Sequence, residues 1–219
     1  MIDDEFSNYT RPVDIVLEGH NWTGTVTAAT DLRDTYDAKH VAVTVGQEPT
    51  VAALNAAFST YANVGTFLGI SALRAVHESV GWVERSNLTD AASSRYLDAN
   101  LSDNTPTSTR ELDLDQLHSK GYCFAKKLAG IEGVYFNDAP TCTKRENMVA
   151  FWRHARTLHK ATRLIREALL PHVNRPVEVN ADTGYLAPRF ISFFGSEARN
   201  ELNTMLGTEI IEAQIFIEP

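Results

Sequence analysis

Cysteine is scarce in this chain of 219 residues: Cys123 and Cys142 stand nineteen positions apart, with no C-x-x-C and no nearby histidine pair. The expectation is two free thiols in a reducing compartment rather than a disulfide framework or a thiolate metal site. Long apolar runs are absent as well. Without a stretch of about 18 apolar residues, no segment reads as a membrane span, so no membrane insertion is expected. Positive charge is in short supply, with Lys+Arg 20 against Asp+Glu 28 and a net charge of −8. That balance argues against nucleic acid as a partner and against docking on anionic membranes. The opening residues, MIDDEFSNYTRP, are acidic and polar and do not read as a signal peptide.

Motifs that carry chemistry are also missing. Gly65-x-x-x-Gly69 lacks the Lys and Ser/Thr of a phosphate loop, and no G-x-G-x-x-G follows a strand. No G-x-S-x-G elbow occurs, and Ser, His and Asp show no recognisable catalytic order. His154 and His159 are five apart, on different faces of a helix, unlike the i, i+4 pair of a helical zinc site. The reading is therefore of no catalytic, cofactor-binding or metal-ligating residue, and of a protein that is not an enzyme.

What is present is a normal core. An apolar share of 43% and a charged share of 22% suit an ordinary globular protein, long enough for one large domain. The most periodic stretch is Lys144–Leu170, which predicts a helix of roughly 40 Å at 1.5 Å per residue. Met148, Phe151, Ala155, Leu158, Thr162, Ile165 and Leu169 share one face. Arg145, Arg153, Arg156, Lys160 and Arg163 gather nearly opposite. Thr143 with Glu146 reads as a capping box at its start, and Pro171 as its stop.

Around this helix the pattern predicts strands at Val13–Glu18, His40–Val45, Gly121–Ala125 and Gly133–Phe136, the last two as a hairpin. The apolar Val41–Val45 suits a central strand covered on both faces. Helices are expected from Pro49 to about Ala62, from Val64 to Val80, around Leu112–Ser119, and from Ser196 to Leu206. The polar segment 89–109 reads as an exposed loop, and 208–219 as a β-forming arm. The fold class is α/β (α+β): a mixed sheet containing Val41–Val45, Tyr122–Ala125 and Val134–Phe136, flanked by helices, with the long helix packed across it.

Three features have functional weight. Arg153, Arg156, Lys160 and Arg163 form either a solvated face or a surface for an acidic partner, since like charges in a row repel. Ile211, Ala213, Ile215 and Ile217 alternate along the terminal run, as an internal strand or as an edge that pairs with another chain. Asn137 and Asp138, at a strand end, are where an α/β enzyme or ligand-binding domain would place its site.

Several stretches together resemble the contractile tail sheath subunits of bacteriophages and related injection machines, in their divergent sheath-like branch. They are VAVTVGQ at Val41–Gln47, VGTFLGISALRAVHESVGWVERSNL at Val64–Leu88 and GIEGVYFNDAPT at Gly130–Thr141. HKATRLIREALLPHVNRPVEVNADTG at His159–Gly184 and NTMLGTEI at Asn203–Ile210 complete the series. The resemblance implies a single sheath-like domain over 1–219 and a structural subunit that stacks around an inner tube and contracts by exchanging interfaces. It implies other copies of the chain, a tail tube subunit and baseplate components as partners, with no cofactor. The location it implies is a phage virion tail, or the bacterial cytoplasm for a prophage or injection-system particle. Sheath subunits are generally longer, so a fragment or a minimal homologue is expected.

Overall fold

The computed structural model describes residues 13–22, 25–179, 184–205 and 207–212. Helices and small sheets alternate in it, giving the α/β class that the sequence predicts. The chain divides into two compact units, Met1–Arg156 and Thr157–Pro219.

The first unit is built on a three-stranded parallel sheet of β1 (Ile15–Glu18), β2 (Val41–Thr44) and β5 (Tyr122–Cys123), in the order β1-β2-β5. Its register sets Ile15 against Val41 and Val43 against Tyr122. The central strand is the one whose sequence is most continuously apolar. Side chains alternate between its two sides: Ala42 and Cys123 join one buried cluster, while Val41, Val43 and Tyr122 pack with the other. Both faces are therefore covered, as a parallel sheet requires. Thr44, fully buried among these residues, donates its hydroxyl to Asn63 Oδ1 at 2.9 Å.

Two antiparallel pairs lie apart from this sheet. β3 (Gly46–Gln47) pairs with β4 (Asn100–Leu101), and β6 (Ala125–Leu128) with β7 (Ile131–Phe136). A hairpin does turn at Gly130, at φ +79°, a conformation natural to glycine, but its first strand is Ala125–Leu128 and not the expected Gly121–Ala125. The expected single mixed sheet is not present. Tyr122–Cys123 joins β2, whereas Val134–Phe136 pairs only within the hairpin, because Phe124 separates two short strands that belong to different ladders.

Helices are shorter than the periodicity suggests. They comprise α1 (Leu32–Tyr36), α2 (Pro49–Leu54), α3 (Val64–Leu73), α4 (Glu111–Ser119), α5 (Trp152–Leu169) and α6 (Pro188–Leu202). The long helix, α5, begins eight residues after Lys144, so the predicted start is corrected. The Thr143 hydroxyl donates to Asp37 Oδ1 at 2.5 Å instead of capping a helix, and Pro140 bridges to Phe151. Met148, assigned to the apolar stripe, lies in this turn region and is 75% exposed. Likewise α3 ends at Leu73, and Arg74 turns to extended backbone. Pro188 at the first position starts α6 earlier than Ser196.

The segment 89–109, polar in composition, sends Tyr96, Ala99 and Leu101 into the core. Its anchor is Glu48. This buried carboxylate caps α2 by accepting from Val51 N at 2.6 Å and Thr50 N at 3.2 Å. It also accepts from Tyr96 N at 3.1 Å and pairs with Arg95. Burial alone would raise its pKa, but the hydrogen bonds led by Val51 N–H outweigh that and lower it.

Phe67 of α3 is fully buried, edge-on to Phe136 at 5.4 Å and to Trp152 at 5.5 Å. Its neighbour Leu68 is 46% exposed. Phe67→Ala is expected to destabilise the first unit by about 3–5 kcal/mol, and Leu68→Ala by no more than about 0.5 kcal/mol. Urea unfolding followed by tryptophan fluorescence measures both.

Candidate functional site

β7 leads directly into Asn137-Asp138, and the two side chains act differently. The Asn137 amide is buried and fastens the sheet. The backbone N–H of Asn137 donates to Phe124 O at 2.9 Å, and its side-chain Oδ1 accepts from Phe124 N at 3.3 Å. Its Nδ2 donates to Tyr122 O at 2.9 Å and to His118 Nδ1 at 3.0 Å. In this network His118 Nδ1 is the acceptor, which places the proton of the neutral imidazole on Nε2. Asp138 accepts from Ser79 Oγ at 2.6 Å and forms an ion pair with Arg153.

Phe151 is the common neighbour of this locus. The Arg153 guanidinium lies 5.1 Å from its ring centroid and that of Arg33 5.7 Å. His118 stacks at 6.4 Å, and His154 meets the ring edge-on at 5.7 Å. An aromatic face among cations is electrostatically favourable. The same positive surroundings act on the imidazoles. Burial lowers the pKa of His118 most, then Arg33, with Asp138 opposing. For His154 burial comes first and Arg153 second.

Chemically, the side chains of Asn137 and Asp138 are satisfied polar groups. Both amide functions of Asn137 are engaged, and the Asp138 carboxylate is neutralised by Arg153. The nearby thiols of Cys123 and Cys142 are free and buried. Burial pushes both pKa values up, that of Cys142 to about 12, so they remain protonated and poor nucleophiles. Cavities of about 260, 180 and 350 Å³ are lined by residues other than Asn137 and Asp138.

Arg153, Arg156, Lys160 and Arg163 of α5 each have a polar neighbour within the chain. Arg156, half-buried, donates from Nη2 to Arg74 O at 2.8 Å and so holds the chain where α3 ends. Lys160 pairs with Glu209 at 2.6 Å, within the second unit. Arg163 lies 3.9 Å from Glu167 in an exposed i, i+4 pair, worth little to stability. Most of the predicted stripe is thus engaged within the chain. Of the terminal positions, Ile211 is fully exposed. Ala213, Ile215 and Ile217 lie outside the described residues.

Sequence reasoning located Asn137 and Asp138 but not Ser79, His118, Arg33 or Phe151 around them. These come from distant parts of the chain, and no spacing rule links them. Arg33 had one local signal, since Asp31 N-caps α1 by accepting from the N–H groups of Arg33 and Asp34.

Outside this locus, the most distinctive surface belongs to α3. Phe67 and Ser71 face inward, and Ser71 Oγ accepts from Trp152 Nε1 at 3.1 Å. The outward positions Gly65, Leu68, Gly69, Ala72 and Leu73 are exposed and carry no charge. A side-chain carbon built on Gly65 or Gly69 would meet nothing within 4 Å, so burial inside this chain does not explain these glycines.

The model of one protein family, the DUF2586 N-terminal domain, matches residues 1–140. No curated protein and no solved structure matches the chain. Among the described residues no helix is long and apolar enough to cross a membrane.

The fold favours neutral His118, while the unfolded chain takes up its proton near the ordinary value of 6.5. Between that value and the lower folded one, the unfolded state binds more protons, so stability falls as pH falls. The His118 imidazole signals should titrate below 6.5 by NMR. Unfolding free energy should decline below that pH, and less steeply in His118→Asn, leaving the share due to His154.

Proposed function

We propose that this chain, which belongs to the DUF2586 family through its N-terminal domain, is a structural subunit of a contractile, phage-tail-like sheath. Its role is assembly around an inner tube and contraction by interface rearrangement, without catalysis. Its partners on this reading are other copies of itself, a tail tube subunit and baseplate components. Its place is a phage virion tail, or the bacterial cytoplasm where such a particle is assembled.

The observation that carries the reading is the outward face of α3. This helix opens Val64–Leu88, one of the stretches that resemble sheath subunits. It presents Gly65, Leu68, Gly69, Ala72 and Leu73 to solvent, with Leu68 46% and Leu73 76% exposed. An uncharged face of small and branched apolar residues gains from contact with another apolar surface and loses little on desolvation. The glycines admit a close approach of backbone to backbone. A second copy of the chain supplies such a surface, as repeated subunits in a lattice do.

The α/β enzyme or ligand-binding alternative, with its site at Asn137 and Asp138, has less in its favour. The hydrogen-bonding capacity of both side chains is largely committed to the fold.

Sedimentation velocity over a rising concentration series tests the sheath reading. The intact chain should self-associate, and Leu68→Glu with Leu73→Glu should return it to a monomer while its melting temperature stays within about 2 °C. A chain lacking Ile210–Pro219 should associate less if the terminal run contributes. A monomer at every concentration for the intact chain removes the reading.

A further inference from the structure

A relay of side-chain hydrogen bonds runs from β2 to the first turn of α3. The fully buried Thr44 donates its hydroxyl to Asn63 Oδ1 at 2.9 Å, and Asn63 Nδ2 donates to the Tyr96 hydroxyl at 3.0 Å. Tyr96 donates in turn to Thr66 Oγ1 at 2.9 Å. An amide nitrogen only donates, so the Tyr96 hydroxyl accepts there and passes its own proton on to Thr66. Burial raises the pKa of Tyr96 and keeps it a donor. The Thr66 hydroxyl thus receives one hydrogen bond and has a proton left to give. Ser119 spends such a proton on the carbonyl four residues back, at 2.9 Å, but Thr66 makes no such bond among the described residues.

Thr66 and Tyr96 line a cavity of about 180 Å³ whose walls include Val51, Ala52, Phe58 and Tyr61. Gln47, 2% exposed, donates from Nε2 to Ser59 O at 2.9 Å and to Tyr61 O at 3.2 Å. It thereby holds the loop that carries both aromatic side chains. The one charged residue lining the space is Glu48, and both its oxygens are taken. Oε1 accepts from Thr50 N and Tyr96 N, and Oε2 from Val51 N and the Arg95 guanidinium. The run from Pro49 to Leu73 contains no charged residue at all. The cavity therefore has apolar and aromatic walls, no free charge and a hydroxyl donor at Thr66. Roughly 150 Å³ is enough to hold benzene, so the space fits one aromatic ring.

We propose that this cavity binds one aromatic ring carrying a neutral oxygen, a phenol in chemical class. The ring packs against Phe58 and Tyr61, and the oxygen accepts from the Thr66 hydroxyl. Edge-on or offset contact with two aromatic side chains favours an aromatic ring over an aliphatic one of the same size. Charged ligands are disfavoured, because the lining offers no free counter-charge. Walls already held by Gln47 and by the relay lower the cost of ordering the site on binding. Leu68 and Leu73 do not line the cavity, and the proposal does not rest on the sheath reading.

Amide ¹⁵N–¹H NMR of the whole chain provides the test, with Leu68→Glu and Leu73→Glu present so that association through α3 does not contribute. Phenol, toluene and cyclohexanol are the probes. The Gly65 and Thr66 signals should move saturably with phenol, with a Kd of about 1 mM. Toluene lacks the oxygen and cyclohexanol the aromatic ring, and each should bind about fivefold more weakly. Thr66→Val should abolish the advantage of phenol over toluene while leaving toluene binding unchanged. Phe58→Ala, at an exposed position, should weaken phenol and toluene alike by about fivefold and melt within about 2 °C of its parent. If Thr66→Val does not fold because Tyr96 loses its acceptor, Phe58→Ala and the three probes decide. Phenol binding tighter than N-acetyltyrosinamide assigns the cavity to a free molecule, and the reverse order to a tyrosine side chain of a polypeptide. Signals that move linearly and alike with all three probes overturn the proposal. So does phenol binding that is unchanged in both Thr66→Val and Phe58→Ala.

Discussion

Buried backbone must find hydrogen-bond partners, and where sheet ladders are short this chain meets that demand with turns and with buried side chains. Its strands are short, and long irregular segments run between them through the interior. Glu48 gathers α2 and the 89–109 segment at one carboxylate. Asn137 ties the end of β7 to the carbonyls and N–H groups beside β5. Lys120 donates to the carbonyls of Val26 and Ala29, and Ser102 joins Gly19 to Trp22. Remove one of these groups and several backbone atoms are orphaned together. The polar residues of the core are therefore as much architecture as its aromatic side chains are.

That division explains what could be read from the sequence. Apolar pattern is a local signal, and it located β2 as the central strand, β7 and α4. Where side chains replace ladders, pattern misleads. The Ser-, Thr- and Asn-rich run 89–109 reads as solvated, but Thr107, Ser102 and Tyr96 use their polar atoms inward. Thr143 and Glu146 have the spacing of a capping box, yet Asp37, more than a hundred residues earlier, takes the Thr143 hydroxyl. The helical period of Lys144–Phe151 was real in the sequence, but these turns answer to contacts with distant residues. The candidate site followed the same logic. Asn137 and Asp138 are marked by lying at a strand end, whereas Ser79, His118 and Arg33 reach them only through the fold.

Charge shows a related economy. The basic positions of α5 looked like a stripe offered to a partner. Arg153 neutralises Asp138, Arg156 closes off the carbonyls after α3, and Lys160 meets Glu209. Cations that stabilise their own chain are weak candidates for recognising another, since a partner must first displace what they already hold. The uncharged α3, by contrast, leaves Leu68 and Leu73 exposed among the described residues.

Arg33 and the α3 face are opposite departures from ordinary burial. One is a charge inside without enough acceptors, and the other is apolar surface outside without cover. Each raises the free energy of the isolated chain, and neither is required by the packing around it. Phe67 and Ser71 would hold α3 equally well with a polar outer face, and an apolar side chain would fill the Arg33 position without the desolvation cost. Other buried atoms without a hydrogen bond among the described residues include neutral ones, such as Ser86 Oγ and Gln47 Oε1, and ones on the charged side chains of Arg74 and Glu209. Contact with an apolar surface would relieve the exposed face of α3.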